Sequence, residues 1–233
     1  MTESPPLLQR IRALVSNPAR QREWTAVAND AIVATAGILE GFAAAGAEER
    51  ALIIAATMGT VAGTLAVGGS RWAEAAAERD AQLAAMADEA NSLSVSPEAE
   101  LAELAAHYEG RGLTPELARE VAVQLSARDA LGAQLATEHG IHDVSSRADA
   151  LIDGIGVAIA YALAASIPLV ITALVPLAIE GPLILVATVV ALLVTSTVGA
   201  RSAHIGLRHA ALRALAVGIG TLAISYAVGQ VVF

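Results

Sequence analysis

Three side chains in the middle of the sequence have a spacing that suits a metal site. Glu100, Glu103 and His107 are three and four residues apart, so on an α-helix they lie on one face. Carboxylates at this spacing repel each other, and a bound cation would relieve that repulsion. Two interpretations stay open for this stripe: a metal site, or the solvated face of a surface helix.

Two further carboxylates, Asp30 and Glu40, interrupt an apolar stretch that begins at Trp24. On a helical wheel they are about 80° apart, which lets both face one interior cleft. A carboxylate at bilayer depth costs about 3 kcal/mol or more and by default marks an ion or proton path. The alternatives are an interfacial cap or ion pair for Asp30, and a protonated carboxyl bonded to a neighbouring helix for Glu40.

The composition excludes several kinds of chemistry. The 233 residues contain no Cys, and all 14 cationic residues are Arg. Without Cys there is no thiolate metal ligand and no Cys nucleophile. Without Lys there is no Walker A loop and no catalytic Schiff base. The net charge of −9 argues against a nucleic acid as partner. We also predict that the chain is not an enzyme.

The elements that must hold these residues are five long apolar stretches. With 55% apolar and 16% charged residues, the chain falls outside the range of ordinary soluble domains. A bilayer core needs about 20 apolar residues per helix. The five stretches cover approximately residues 24–47, 51–72, 152–175, 182–200 and 212–232, with a turn near residues 176–182 marked by two prolines. We therefore predict an all-α, polytopic membrane protein with five transmembrane helices.

The arginines predict how these helices are oriented. Thirteen of them fall before the first span, between the second and third, or between the fourth and fifth, and only Arg50 lies on the opposite side. By the positive-inside rule the N-terminus and the central insert are cytoplasmic and the C-terminus is outside. The predicted organisation is a cytoplasmic segment at 1–23, helices 1 and 2 at 24–72, the insert at 73–150 and helices 3 to 5 at 151–233.

The insert is acidic and helical, with 15 carboxylates against five arginines. Its helical periodicity breaks at Ser96 and again between Gly110 and Pro115. Ser96 and Thr114 each precede a proline and an acidic first turn, which is the signature of a helix start. We predict three or four amphipathic helices, the first continuing directly out of the second span.

The chain resembles the vacuolar iron transporter family, and specifically its bacterial members, from about residue 24 to 233. Residues 28–37, Ala-Asn-Asp-Ala-Ile-Val-Ala-Thr-Ala-Gly, are similar to the signature of the family's first span. Residues 97–104 and the motif Thr-Glu-His-Gly-Ile at 137–141 are similar to its cytoplasmic metal-binding domain. The order of two spans, an acidic helical insert and three spans is also that of the family.

This resemblance implies a homodimeric antiporter that moves Fe²⁺ or a similar divalent metal out of the cytoplasm in exchange for protons. It places Asp30 on the translocation path, and it implies a bacterial inner membrane. The family's cytoplasmic metal-binding glutamates fall on Glu89, Glu100, Glu103 and Glu138. Carboxylate oxygens suit Fe²⁺ and Mn²⁺, either of which would be both substrate and ligand.

The sequence also departs from the family pattern. In the second span, Val67 stands where the family has Met, and Arg71 stands where it has Glu. In the insert, Ser92 stands where the family has a further Glu. Glu40 occupies a position that is usually apolar. Arg71 either extends to the membrane surface or reaches Asp30. Three functions remain open: a proton-coupled metal exporter, a related transporter with altered cation selectivity, and a membrane-anchored metal sensor or scaffold without transport.

Overall fold

The computed structural model describes residues 17–203 and 206–232. This part of the chain forms seven α-helices and contains no strand, which confirms the all-α prediction. Arg10 and Arg12, which contributed to the predicted orientation, lie outside the described residues, as do His204 and Phe233.

Five of the helices are long and apolar enough to cross a membrane, as the hydropathy pattern predicts. In chain order the seven helices are α1 Pro18–Ala44, α2 Glu49–Val95, α3 Pro97–Gly110, α4 Pro115–Glu138, α5 Arg147–Leu174, α6 Leu177–Ala203 and α7 Leu207–Val232. The five long apolar helices are α1, α2, α5, α6 and α7.

The described chain divides into two compact units. One, here called the apolar unit, comprises the residues up to Arg71 and those from Asp153 onward. The other, here called the insert unit, is Trp72–Ile152. Helix α2 contributes to both units, because its 47 residues continue without a break from the second apolar stretch into the insert. At 1.5 Å per residue it is about 70 Å long, so roughly half of it must lie outside a 30 Å bilayer core.

Helix α1 is the central element of the apolar unit. Asn17 caps its start by accepting hydrogen bonds from the backbone N–H groups of Ala19 and Arg20. The helix packs against both α6 and α7, which also pack against each other. Its buried residues cover most of the circumference of the helix: Ala31, Ile32, Val33, Thr35, Ala36, Gly37 and Leu39. Ala26, Asp30 and Ala34, four residues apart, form an exposed stripe on the remaining side.

Two apolar clusters join α1 to its neighbours. One contains Ala36 and Leu39 of α1 together with side chains of α2, α6 and α7. The other joins Ile32 of α1 to Tyr161 and Ala165 of α5. All four remaining long helices therefore have contacts to α1.

The helix breaks predicted in the insert are present at the predicted residues. Pro97 and Pro115 are the first residues of α3 and α4. The Thr114 hydroxyl accepts a hydrogen bond from the Leu117 N–H, as expected of a cap, whereas the Ser96 side chain makes no such bond. Leu104 and Ala105 of α3 pack on Ala122 of α4, which forms the small apolar core of this unit.

The predicted turn between the third and fourth spans is longer than the observed one. Helix α5 ends at Leu174 and α6 begins at Leu177, so the connection is only Val175 and Pro176. Pro182 lies inside α6 and does not mark the turn. Membrane helices tolerate such a proline because neighbouring groups satisfy the freed backbone carbonyl. As a consequence, Glu180 belongs to a helix and not to a loop.

Glycines set the closest approach between α1 and α7. A Cβ atom built on Gly229 would overlap the Gly41 carbonyl oxygen and would come within 3.0 Å of the Ala44 Cβ. The α7 residues Gly218, Ser225 and Gly229 thus contact other helices of the same chain, whereas a Cβ on Gly220 would meet nothing within 4 Å. Close packing through small residues is therefore a feature of the single protomer.

This contrast predicts opposite effects for two substitutions in α7. Gly229→Ala should lower the melting temperature by several degrees, since overpacking against backbone costs about 1–3 kcal/mol and no rotamer relieves it. Gly220→Ala, the matched control, should be neutral or slightly stabilising, because Ala favours a helix by up to about 1 kcal/mol. Thermal unfolding of the full chain in detergent measures both, and equal effects would contradict the packing described.

Candidate metal centre

Four carboxylates of the insert unit come together around Glu138. In one group, one carboxylate oxygen each from Glu100, Glu103 and Glu138 lie within 4.8 Å of one another. In a second group, ligand atoms of Glu89, Glu138 and His139 lie equally close. Glu138 belongs to both groups. Glu100 and Glu103 of α3 and Glu89 of α2 therefore all lie near the Glu138 carboxylate. The structure thus brings together all four glutamates that the family resemblance implies.

Helices α3 and α4 hold these side chains in place. Glu100 and Glu103 lie one turn apart on α3, and the α3–α4 core positions them opposite Glu138 at the end of α4. Gln134, which is only 2% exposed, donates hydrogen bonds from its side-chain Nε2 to the backbone carbonyl of Glu100 (2.7 Å) and to its carboxylate (3.1 Å). This amide therefore fixes the orientation of the Glu100 carboxylate.

A break inside α4 turns the segment that carries Glu138. Asp129 has extended backbone angles, φ −162° and ψ 87°, and its carboxylate accepts a hydrogen bond from the Gly132 N–H at 2.9 Å. That contact is the geometry of an N-cap, so the last turns of α4 start anew at Asp129. Gly132 is suited to this position because a Cβ there would overlap the Asp129 carboxylate.

Glu89 is the most buried member of the centre. It is 6% exposed, and its Oε1 has no hydrogen-bond partner among the described residues. Burial raises the pKa of Glu89, the charges of Glu138 and Glu100 and a side-chain hydrogen bond with Glu100 raise it further, and His139 lowers it. The centre therefore concentrates negative charge around a buried carboxylate, and a cation bound there would lower the electrostatic energy.

Glu138 has the same electrostatic character. Its pKa is raised by burial first and then by the charges of Glu103 and Glu100, and is lowered by His139 and His107. His107, the third residue of the stripe seen in the sequence, thus lies near the centre without joining either group. Its Nε2 is buried and has no hydrogen-bond partner among the described residues.

Asp30 lies in a different place, at a cavity of about 610 Å³ in the apolar unit. The cavity is bounded by α1, α6 and α7, and its polar lining includes Asn29, Thr195, Ser196 and Arg213. The Thr195 hydroxyl has two acceptors within reach of its single hydrogen, the Asn29 side-chain oxygen and the Ala191 carbonyl of its own helix at 2.8 Å. A polar cavity beside a carboxylate in the membrane part of a chain is suited to an ion or proton path.

Glu40 does not line the cavity that holds Asp30. It is ten residues further along α1, which is about 15 Å, and its carboxylate lies beside α6. A Cβ on Gly181 would be 3.6 Å from Glu40 Oε1, and Glu180 is close enough to interact electrostatically with Glu40. Asp30 thus borders the cavity between α1, α6 and α7, whereas Glu40 lies beside Gly181 and Glu180 of α6, and a cleft shared by the two stays a prediction.

Glu180 and His139 lie beside the candidate site residues, and the sequence alone does not single them out. Glu180 is 6% exposed, but the two prolines around it predict a turn in which a carboxylate would be solvated. His139 follows Glu138 directly and stands out in the sequence only as part of a motif. A signal for His139 was available, since imidazole is a common metal ligand and stands beside an expected carboxylate ligand.

Nearly the whole chain is similar to one known protein family. The profile of the VIT family matches residues 22–230, nearly the whole chain. The chain belongs to the VIT family. It is also 38% identical over 118 residues to the protein named Vacuolar iron transporter of Acanthamoeba castellanii (strain ATCC 30010 / Neff). That alignment covers 51% of this chain and 42% of the relative, so the chain spans less than half the length of the curated relative it matches.

Membership of the VIT family confirms the resemblance inferred from the sequence. With its five apolar helices, this VIT-family chain is a multi-pass membrane protein. The prediction that it is not an enzyme agrees with the family, because the named relative is a transporter.

Arg71 of this VIT-family chain contacts carboxylates other than the predicted one. Its guanidinium lies 2.9 Å from Glu23 and 3.6 Å from Asp153. Asp153 also pairs with Arg20, so the cluster joins α1, α2 and α5. These ion pairs of Arg71 therefore run to Glu23 on α1 and Asp153 on α5.

The raised pKa of Glu138 predicts a pH-dependent stability for the metal-free protein. The folded state keeps a proton that the unfolded chain releases above its ordinary pKa of 4.5, so stability falls as the pH rises through the raised value. In Glu138→Gln this group no longer titrates, so the decrease in stability that Glu138 causes with rising pH is absent. Its melting temperature should therefore exceed that of the unaltered chain by a margin that grows as the pH rises above 4.5 and becomes constant above the raised pKa.

The measurement is thermal unfolding in detergent with a chelator present. Glu109→Gln, an exposed glutamate on α3 outside both groups, is the control and should show no such growth with pH. A margin that is the same at every pH would contradict the electrostatic strain described for Glu138.

Proposed function

We propose that this chain exports a divalent metal, Fe²⁺ or Mn²⁺, from the cytoplasm in exchange for protons. The observation that carries the proposal is the convergence of Glu89, Glu100, Glu103 and Glu138 on one region of a VIT-family chain that also holds a carboxylate-lined cavity among its apolar helices. Oxygen ligands of this kind suit both cations. The name of the Acanthamoeba relative supports iron as the cargo.

The insert unit serves as the site of metal capture. Four carboxylates repel one another when the site is empty, and the buried Oε1 of Glu89 lacks a partner. Binding a divalent cation replaces repulsion by attraction and supplies that partner. The site therefore concentrates metal from the side of the membrane that the insert faces.

Asp30 serves as the exchange site in the membrane. Its carboxylate borders the cavity between α1, α6 and α7, where metal and protons compete for the same oxygens. An inward proton gradient then drives metal outward. Glu40, beside Glu180, is a second carboxylate nearer the other end of α1, and it takes the ion after Asp30.

The proposed orientation follows the arginine distribution. The N-terminus and the insert are cytoplasmic, the C-terminus is outside, and the membrane is a bacterial inner membrane. The location of the acidic insert on the cytoplasmic side is what makes the direction of transport outward. Arg50 on the other side stands beside the turn that joins α1 to α2.

A homodimer is the proposed assembly. The insert unit has about 80 residues, and a unit of this size buries little apolar core by itself. Helix α4 nevertheless exposes Leu117 and Val123 by 49% and 46%. Pairing two inserts through such side chains would bury them and place carboxylates of both chains around shared ions.

Metal binding to the insert should stabilise the protein. We expect millimolar Mn²⁺, or Fe²⁺ under anaerobic conditions, to raise the melting temperature, with up to about 2.7 kcal/mol gained at a hundredfold excess over the dissociation constant. Glu103→Gln should reduce the rise, and Glu109→Gln should leave it unchanged. A melting temperature indifferent to both metals would show that the capture site is wrong.

Transport should depend on Asp30. In proteoliposomes with an inward proton gradient, the unaltered chain should move Fe²⁺ or Mn²⁺, and Asp30→Asn should abolish the flux because an amide neither ionises nor exchanges protons. Metal binding to the insert should persist in this variant. Asp80→Asn, which changes an aspartate that is 77% exposed in the insert, is the control and should transport normally.

A different result would redirect the proposal. Normal flux in Asp30→Asn would place the path elsewhere. Absence of flux in the unaltered chain, with metal binding retained, would favour the membrane-anchored sensor or scaffold. The observation that favours this second function is the Arg71 cluster, in which a fixed positive charge ties α1, α2 and α5 together at one end of the apolar unit.

A further inference from the structure

His139 brings a nitrogen ligand to a centre that otherwise consists of carboxylates. One of its ring nitrogens lies within 4.8 Å of carboxylate oxygens of both Glu89 and Glu138. In the other group, which contains Glu100 and Glu103, every ligand atom is an oxygen. The two groups thus share Glu138 but differ in their chemistry.

The backbone holds His139 in this position. His139 ends α4, and its N–H donates to the Leu135 carbonyl at 3.2 Å. Gly140 has a φ of 66°, in the left-handed region, and the Ile141 N–H returns to the same Leu135 carbonyl at 3.0 Å. Such a helix ending fixes the direction in which the chain leaves the helix, and with it the direction of the His139 side chain.

An independent feature of Glu89 points to a ligand in this second group. Glu89 is 6% exposed, its Oε1 has no hydrogen-bond partner among the described residues, and its carboxylate faces Glu138 and His139. A buried carboxylate oxygen without a hydrogen-bond partner is costly, and a bound cation would remove that cost. In the other group, the Gln134 side chain donates a hydrogen bond to the Glu100 carboxylate.

We propose that Glu89, Glu138 and His139 form a mixed nitrogen and oxygen subsite that prefers Zn²⁺ or Co²⁺ over Mn²⁺. Imidazole suits zinc and the later transition metals, whereas an all-carboxylate group suits Mn²⁺ and similar hard cations. The insert then has two subsites of different preference joined by Glu138. The proposal rests on the proposed function, in which the insert captures metal, and it adds a residue that determines which metal is captured.

A purely structural role for His139 makes different predictions. A histidine at the C-terminal end of a helix interacts favourably with the helix dipole, so its loss would lower stability and would affect all metals alike. A ligand role instead separates Zn²⁺ from Mn²⁺. It also places an imidazole nitrogen on the metal, which is visible by spectroscopy.

The test uses the full chain in detergent, purified with a tag that contains no histidine. Calorimetric titration should show that His139→Gln weakens Zn²⁺ binding by about tenfold or more while Mn²⁺ binding changes less than about twofold. His142→Gln is the matched control, because His142 is an exposed histidine three residues further on that belongs to neither group, and it should change neither affinity.

Electron paramagnetic resonance of bound Cu²⁺, a spectroscopic probe of nitrogen ligands, gives the second readout. Nitrogen coupling should be present in the unaltered chain and in His142→Gln and absent in His139→Gln. Retained coupling in His139→Gln, its loss in His107→Gln instead, or equal weakening of Zn²⁺ and Mn²⁺ would overturn the proposal. If the unaltered chain binds Mn²⁺ but shows no nitrogen coupling, the mixed subsite fails and the capture function stands, whereas a chain that binds no divalent cation contradicts both.

Discussion

The burial of α1 among the other long helices is the interaction on which the apolar unit depends. Its buried residues between Ala31 and Leu39 pack on side chains of α2, α5, α6 and α7. Two carboxylates, Asp30 and Glu40, flank this segment. The helix that organises the packing is therefore also the helix that carries two carboxylates within its apolar stretch, and Asp30 is exposed at the edge of a cavity.

In the insert unit the corresponding constraint is electrostatic. Glu138 stands where α4 ends, beside carboxylates from α2 and α3, and the apolar contacts between Leu104 and Ala122 hold these like charges together. Packing thus holds like charges close together, and a bound divalent cation would lower their mutual repulsion. Gln134 and the break at Asp129 show that the arrangement is supported by specific hydrogen bonds and does not arise from acidic composition alone.

The Arg71 cluster is a set of ion pairs in the apolar unit and consists of Arg71, Glu23, Asp153 and Arg20. Where the family resemblance leads one to expect a carboxylate, a guanidinium binds Glu23 and Asp153 across three helices. The positive charge of Arg71 is offset by these two carboxylates. The departure from the family pattern is therefore accommodated by local charge balance.

The sequence by itself determined the number of long helices, the helix starts at Pro97 and Pro115, the unbroken α2 and the family. These features depend on apolar length, on period and on capping residues, all of which are local in the chain. The tertiary structure decided which distant side chains meet. Glu89 lies beside Glu138 and His139, Glu40 beside Glu180, and Arg71 beside Glu23 and Asp153, because helix packing and not sequence spacing sets these contacts. Local patterns mark a carboxylate as unusual, whereas only packing in three dimensions gives it a partner.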